Sequence, residues 1–224
     1  MTLPRLDPIS RLYPIPRLYP ILDAGILPEQ SDARAAFLGR LGRELASTGL
    51  ALLEYRNKTA SDADVYADAC LLRSLLPATR LVLDDRVDIT LAAGFDGVHV
   101  DFGDLPSVVA RRLLPEGSLV GTSASSLDAL DLCLREPVDY IAFGPVFPTT
   151  TKQTSATPIG IDGVRRFRAH AGPSVTLVAA AGITLETAPA ILDAGASAVA
   201  VSAAIFGHPE PAQEILRWLS MLNG

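Results

Sequence analysis

Lysine is almost missing from this chain of 224 residues. Of its nineteen basic residues only Lys58 and Lys152 are lysines, and arginine takes every other cationic position. Cysteine is equally scarce: Cys70 and Cys133 stand far apart, each in a helix-like pattern. That excludes a disulfide framework or a thiolate metal site and favours a reducing compartment. No apolar run approaches the ~18 residues of a membrane span, and the opening Met1-Thr2-Leu3-Pro4-Arg5 lacks the core of a signal peptide. The expectation is a soluble, cytoplasmic protein. Positive charge is in deficit as well, with nineteen basic against twenty-five acidic residues and a net charge of -6. Nucleic acid and anionic membrane are therefore excluded as partners, and an anionic ligand must be captured by a local site. His99, His170 and His208 show no ligand spacing, so structural or surface roles are expected for all three.

What is present is alternation. Short apolar runs, read as strands, cover 18–22, 50–54, 81–84, 97–100, 119–121, 140–143, 176–180 and 198–201. Between them lie helical stripes such as Phe37/Leu41/Leu45, Val65/Ala69/Leu72 and Ile215/Leu219/Leu222. Ser61 and Ser126 stand where helix caps belong, Gly195 where a helix stops, and Pro189 where one begins late. Eight strands alternating with helices over this length predict an α/β chain folded as a (β/α)8 TIM barrel. A doubly wound open sheet is the rival, weakened because no Gly-x-Gly-x-x-Gly turn follows the first strand. The predicted organisation is a Pro-rich extension over 1–16, where Arg11-Leu-Tyr-Pro-Ile15 precedes the similar Arg17-Leu-Tyr-Pro-Ile21, and one barrel domain over 17–224. The extension is expected on the surface or without order.

Such barrels build their sites from loops at the carboxyl ends of the strands, and the unusual polar residues fall there. Glu54, Arg56 and Lys58 share one side of extended backbone. Asp84-Asp85, Asp101, Asp104 and Thr122-Ser123 follow the next strands. The sixth strand leads into Gly144-Pro-Val-Phe-Pro-Thr149-Thr-Thr151-Lys152. Proline stiffens that loop, glycine lets backbone approach a ligand, and hydroxyls beside an ammonium give the donors and charge a phosphoryl group needs. Asp85 and Asp104 make an oxygen seat for Mg2+ beside Arg56, Lys58 and Lys152. Backbone amides at Gly182-Ile183 and Ser202-Ala203 offer a second phosphate site.

Over about residues 18 to 205 the chain resembles the thiamine-phosphate synthase family. The resemblance is carried by Leu83-Asp-Asp-Arg-Val-Asp88, Asp96-Gly-Val-His99, Asp104-Leu-Pro106 and above all Phe143-Gly-Pro-Val-Phe-Pro-Thr-Thr-Thr-Lys152, with looser Ala181-Gly-Ile183 and Val201-Ser-Ala203. It implies a Mg2+-dependent transferase that joins hydroxymethylpyrimidine diphosphate to a thiazole phosphate, releasing pyrophosphate. By that resemblance Asp85 and Asp104 hold the metal, and Arg56, Lys58 and Lys152 bind the diphosphate. Ser123, Thr149, Thr151, Gly182 and Ser202 cradle the thiazole phosphate. The implied chemistry is dissociative, through a pyrimidine-methylene cation, with no protein nucleophile. The implied partners are small molecules, and self-association is left open.

This chain departs from the family pattern at several places. Glu54 stands for the usual Gln, Asp84 for Asn, Asp101-Phe102 for Gly-Gln, Ala181 for Gly, and Ser125 where His is often found. Glu54 is therefore expected to compete with the diphosphate for Arg56 and Lys58, or to serve with Asp84 a different pyrimidine-like substrate. Ala181 is expected merely to narrow the phosphate pocket. The alternatives are a barrel that binds thiamine precursors or phosphates without turnover, and a thiazole tautomerase-like isomerase, which lacks its acid/base at Ser125.

Overall fold

The computed structural model describes residues 14–149 and 156–223. Its eight strands are β1 (Leu18–Asp23), β2 (Leu52–Arg56), β3 (Arg80–Asp84), β4 (Gly97–His99), β5 (Leu119–Ala124), β6 (Tyr140–Phe143), β7 (Leu177–Ala180) and β8 (Ala198–Val201). They pair in parallel in sequence order, and β1 closes on β8 through Leu18 opposite Val199. The predicted (β/α)8 barrel is thus the observed architecture.

Two strands depart from expectation by more than a residue. β2 begins later than expected and runs on to Arg56, because β1 extends to Asp23 and the two strand ends pair. β5 continues past Gly121 because Ser123 and Ala124 pair with Ala142 and Phe143 of β6.

Alternation assigns side chains to two layers. Outward-facing Leu22, Leu53, Tyr55, Leu83, Ile141, Leu177 and Val199 are buried in the main core beneath the helices. The helices include α1 (Ser31–Ala46) and α2 (Asp62–Leu75), whose apolar stripes lie where their spacing predicts: Leu41, Leu45, Val65, Ala69 and Leu72 are buried. Ser61 Oγ caps α2 by accepting from the Asp64 amide, and Ser126 Oγ caps α5 (Leu127–Cys133) by accepting from that of Ala129. α3 (Val87–Ala93), α4 (Ser107–Leu113), α6 (Gly160–Ala171), α7 (Ala188–Asp193) and the short α8 (Ala203–Phe206) continue the ring. α7 carries Pro189 in its first turn, with Gly195 just beyond its end. α9 (Pro211–Asn223) sinks Ile215, Trp218 and Leu222 into the core, each worth about 1.5–3 kcal/mol of apolar burial.

Inward-facing Tyr19, Leu52, Val82, Leu119, Tyr140, Val178, Ala198 and Ala200 form a separate plug inside the barrel. Residues 1–13 of the expected extension lie outside the described residues. Its end is not loose on the surface: Ile15 packs against the plug, and the Pro14 carbonyl accepts from Arg80 Nη2 at 2.8 Å.

Gly121 lets Tyr140 cross the interior, because a Cβ there would lie 2.0 Å from the ring Cζ. Gly121→Ala is expected to cost about 1–3 kcal/mol through overpacking. Urea denaturation should show a lower midpoint at an unchanged slope.

Candidate active site

Above the plug the barrel opens into a cavity of about 530 Å3 at the carboxyl ends of the strands. Small side chains on one side, Ala142, Ala180 and Ala200, leave the space that Tyr19 and Tyr140 partly fill from below. Glu54, Arg56, Asp84, Ser123, Thr149, Gly182 and Ser202, all expected at the site, line this one cavity.

The floor is a chain of hydrogen bonds. Glu54 Oε2 accepts from Tyr19 Oη at 2.6 Å, Tyr19 and Tyr140 hydroxyls meet at 2.6 Å, and Tyr140 Oη lies 3.0 Å from His99 Nδ1. His99 Nε2 reaches Ser123 Oγ at 2.8 Å and Asp101 Oδ1 at 3.4 Å. Burial alone would lower the His99 pKa, but Asp101 and Glu54 outweigh it and raise it to about 9. Both tyrosines are pushed well above the ordinary phenol range, by burial first and then by the Glu54 charge.

The rim carries the cations. Arg56 pairs with Asp23 through Nη1 and with Asp84 Oδ2 through Nε at 3.3 Å. Lys58 Nζ lies 3.2 Å from Asp84 Oδ2 and 2.8 Å from Asp85 Oδ2. The two contacts to Asp84 Oδ2 are ionic without hydrogen-bond alignment. Burial, then repulsion by Glu54, raises the Asp84 pKa to about 7. Lys58 and Arg56 lose to burial but gain more from these acids, so both stay charged. Asp85 adopts a left-handed backbone (φ 65°), a conformation that Asp tolerates better than most residues. Its carboxyl adjoins that of Asp104, whose pKa rises through burial and this neighbour, while Asp104 Oδ2 accepts the Asp101 amide at 2.8 Å.

Lys58, Asp85 and Asp104 do not line the cavity but form a cluster beside it, joined through Asp84. Among the described residues no group of three or more His, Cys, Asp or Glu could hold a metal. Thr151 and Lys152 lie outside the described residues, so the expected grip is described only up to Thr149. Gly144 is not among the residues lining the cavity; a Cβ there would lie 2.4 Å from the Ala180 carbonyl, so its close contact is with β7. Gly182 does line the cavity at φ 66°. Ser202 Oγ is buried there and has no hydrogen-bond partner among the described residues.

Three expectations need correction. Glu54 makes no ion pair with Arg56 or Lys58 among the described residues, though its charge still acts on Arg56; it bonds Tyr19, while Asp23, Asp84 and Asp85 hold the cations. The Ala181 methyl is more than a narrowing, since the residue sits at φ 76°, where a side chain costs about 1–2 kcal/mol. His99 is a cavity residue, whereas His170, bonded to Asp131, and His208 are peripheral as expected. Sequence reasoning also passed over Tyr19, Asp23 and Tyr140. The available signal was parity: Ile21 pairs with Glu54 and Asp23 with Arg56, so Tyr19, Ile21 and Asp23 face the same interior as the acids and arginine of β2.

The family described as thiamine monophosphate synthase matches residues 19–205. A thiamine-phosphate synthase of Koribacter versatilis is 40% identical over 202 residues, 89% of this chain and 93% of that protein. One from Chloroflexus aurantiacus is 40% identical over 159 residues, 70% of this chain and 72% of its own length. The structure of a thiamine phosphate pyrophosphorylase from Pyrococcus furiosus superposes with a TM-score of 0.78 at 28% identity, covering 92% of this chain and 95% of that one. With the barrel and its acid-and-cation rim, this match across nearly the whole fold means that the chain belongs to the thiamine monophosphate synthase family.

Proposed function

We propose that this protein is a cytoplasmic thiamine-phosphate synthase, with residues 17–224 acting as one catalytic domain and the cavity inside the barrel as its active site. The observation that carries the reading is the continuity of the Arg56–Asp84–Lys58–Asp85–Asp104 rim with a cavity lined by Thr149, Gly182 and Ser202. That layout offers one place for a diphosphate and another for a monophosphate.

In this reading Arg56 and Lys58, with Lys152, take the diphosphate of the pyrimidine substrate. Thr149, Thr151, Ser123, Gly182 and Ser202 receive the thiazole phosphate, and Ser202 Oγ, without a hydrogen-bond partner among the described residues, is a ready donor to it. The methylene C–O bond breaks with its electron pair going to the diphosphate. The thiazole nitrogen then donates its lone pair to form the new C–N bond. No protein nucleophile is required, and positioning together with fixed positive charge lowers the barrier.

Asp85 and Asp104 fit Mg2+: they are adjoining hard oxygen donors whose mutual repulsion a cation would relieve, and this ion usually takes one or two carboxylates plus phosphate oxygens and water. When bound, Mg2+ would neutralise charge on the leaving diphosphate.

The acids set the working balance. Because Arg56 and Lys58 each touch Asp84, the incoming diphosphate competes with that carboxylate, and Asp23 and Asp85 suffice to keep both cations in place.

Incubating the protein with both substrates and Mg2+ is expected to release pyrophosphate and form thiamine phosphate, and EDTA should stop both. Ligand binding without either product would instead select a non-catalytic binding barrel. Arg56→Ala is expected to lower kcat/KM by roughly 100-fold or more. Asp84→Asn is expected to lower the KM for the pyrimidine diphosphate by about five- to tenfold, on the order of 1 kcal/mol. Steady-state kinetics at fixed Mg2+ measures both.

A further inference from the structure

Of the two described rim cations, Arg56 stands on β2, whereas Lys58 lies two residues past its end, in the short turn before α2. The tip of Lys58 is held by acids: Nζ donates to Asp85 Oδ1 at 2.9 Å and lies beside Asp84. Its root gets no such help from the backbone. Thr59 and Ala60, which follow it, make no backbone–backbone hydrogen bond among the described residues. Their amides donate instead to Asn57 Oδ1, at 3.2 and 3.0 Å, and the Thr59 hydroxyl donates to the same oxygen at 3.3 Å. The Asn57 side chain thus closes the turn with Lys58 inside it.

Asn57 is itself anchored from the core. Its Nδ2 donates at 2.9 Å to the hydroxyl of Tyr55, which is fully buried in the layer beneath the helices. Tyr55 Oη in turn donates at 2.7 Å to Asp68 Oδ2 of α2, the same oxygen that accepts from Arg34 Nε of α1 at 2.6 Å. Arg34 and Asp68 are 4% and 3% exposed, so this pair cannot drift into water, and Arg34 Nη1 also donates to the Glu29 carbonyl at 3.0 Å. Counting protons fixes the direction. A carboxylate only accepts, so the one phenolic proton goes to Asp68, and the lone pairs of Tyr55 Oη then need a donor. Burial, then the bond to Asp68, raises the Tyr55 pKa and keeps that proton in place. The Asn57 amide can therefore sit only with Nδ2 toward Tyr55 and Oδ1 toward the turn.

We propose that Asn57 is the positioning residue for the Lys58 ammonium, its amide carrying the rigidity of the buried Arg34–Asp68–Tyr55 row out to the turn that bears Lys58. The inference rests on the synthase reading above, in which Lys58 takes a diphosphate. A lysine side chain is long and flexible, and an anion that must order it on arrival binds more weakly for that reason. Fixing the root through Asn57 and the tip through Asp85 moves that cost from binding into folding. Strand parity makes the connection possible: Tyr55 faces the helices while Glu54 and Arg56 face the cavity, so the outer side of β2 steers a charge at its inner edge. Asn57 contacts no ligand in this role and acts only through Lys58.

The test uses the full chain with Mg2+ and inorganic pyrophosphate as the probe. Asn57→Ala is expected to weaken pyrophosphate binding about three- to tenfold in calorimetry, the cost of ordering one long side chain anew. Tyr55→Phe, which removes only the hydroxyl, should act in the same direction by less. In a Lys58→Ala background Asn57→Ala should add nothing, because the group it positions is gone. Only two lysines occur in the chain, so isotopically labelled lysine gives two side-chain signals, and the one that Lys58→Ala removes belongs to Lys58. Its NMR order parameter is expected to fall in Asn57→Ala and Tyr55→Phe. Thermal midpoints establish that the variants fold. A lowered midpoint with unchanged pyrophosphate affinity and unchanged Lys58 order means a turn that only supports the fold, and overturns the proposal. An equal loss of affinity in the Lys58→Ala background, or a wild type that does not bind pyrophosphate, overturns it as well. A wild type that binds pyrophosphate but makes no thiamine phosphate removes the synthase reading, while the coupling of Asn57 to Lys58 still upholds the role of Asn57.

Discussion

The contact between the Tyr19 and Tyr140 hydroxyls, 2.6 Å apart and reaching across the barrel from β1 to β6, divides the interior into two regimes. Below it, Leu52, Val82 and Leu119 fill the space with hydrocarbon, as a closed barrel requires. Above it, small residues leave a cavity. The crossing is possible only because Gly121 yields the volume that Tyr140 occupies. Two buried phenols need partners, and those on hand, Glu54 on one side and His99 on the other, are themselves polar. A packing solution at the floor therefore brings an acid and an imidazole into the site.

The rim obeys a different rule. The proposed anion site holds Asp23, Asp84 and Asp85 around its two described cations. These acids hold Arg56 and Lys58 in defined positions before substrate arrives, which reduces the ordering cost of binding. They also oppose the ligand's charge. Burial and Glu54 push Asp84 toward neutrality near pH 7, which softens that opposition without removing the residue from its place. Asp85 and Asp104, pressed together at the outer edge, present a local surplus of negative charge suited to a small divalent cation.

The barrel was legible in the chain because its signal is repeated eight times. An error of two or three residues at the ends of β2 or β5 does not alter parity or topology. The site was legible where chemistry coincided with a strand end, as at Glu54, Arg56, Asp84 and Ser123. It was opaque where the deciding contact spans distant segments. Tyr19 and Tyr140 are 121 positions apart, and His99 meets Tyr140 across 41. Nothing local to Glu54 announces a tyrosine, so the nearby Arg56 and Lys58 look like its partners. At Gly144 too the visible contact is with a distant segment: its lack of a side chain admits the Ala180 carbonyl of β7. Ala181 shows the reverse limit, since a left-handed backbone at alanine leaves no trace in composition or periodicity.

The connection between β6 and α6 leaves the barrel and rejoins it at nearly one point. Val146 and Phe147 amides bond the Ala180 and Ala181 carbonyls, and the Ile159 and Gly160 amides bond those of Pro145 and Val146. Both stems are thus clamped to each other and to β7 before the intervening segment begins. Lengthening a loop with fixed ends costs entropy only logarithmically. Sequence changes beyond these two stems are accordingly expected to leave the strand register of β6 and β7 untouched.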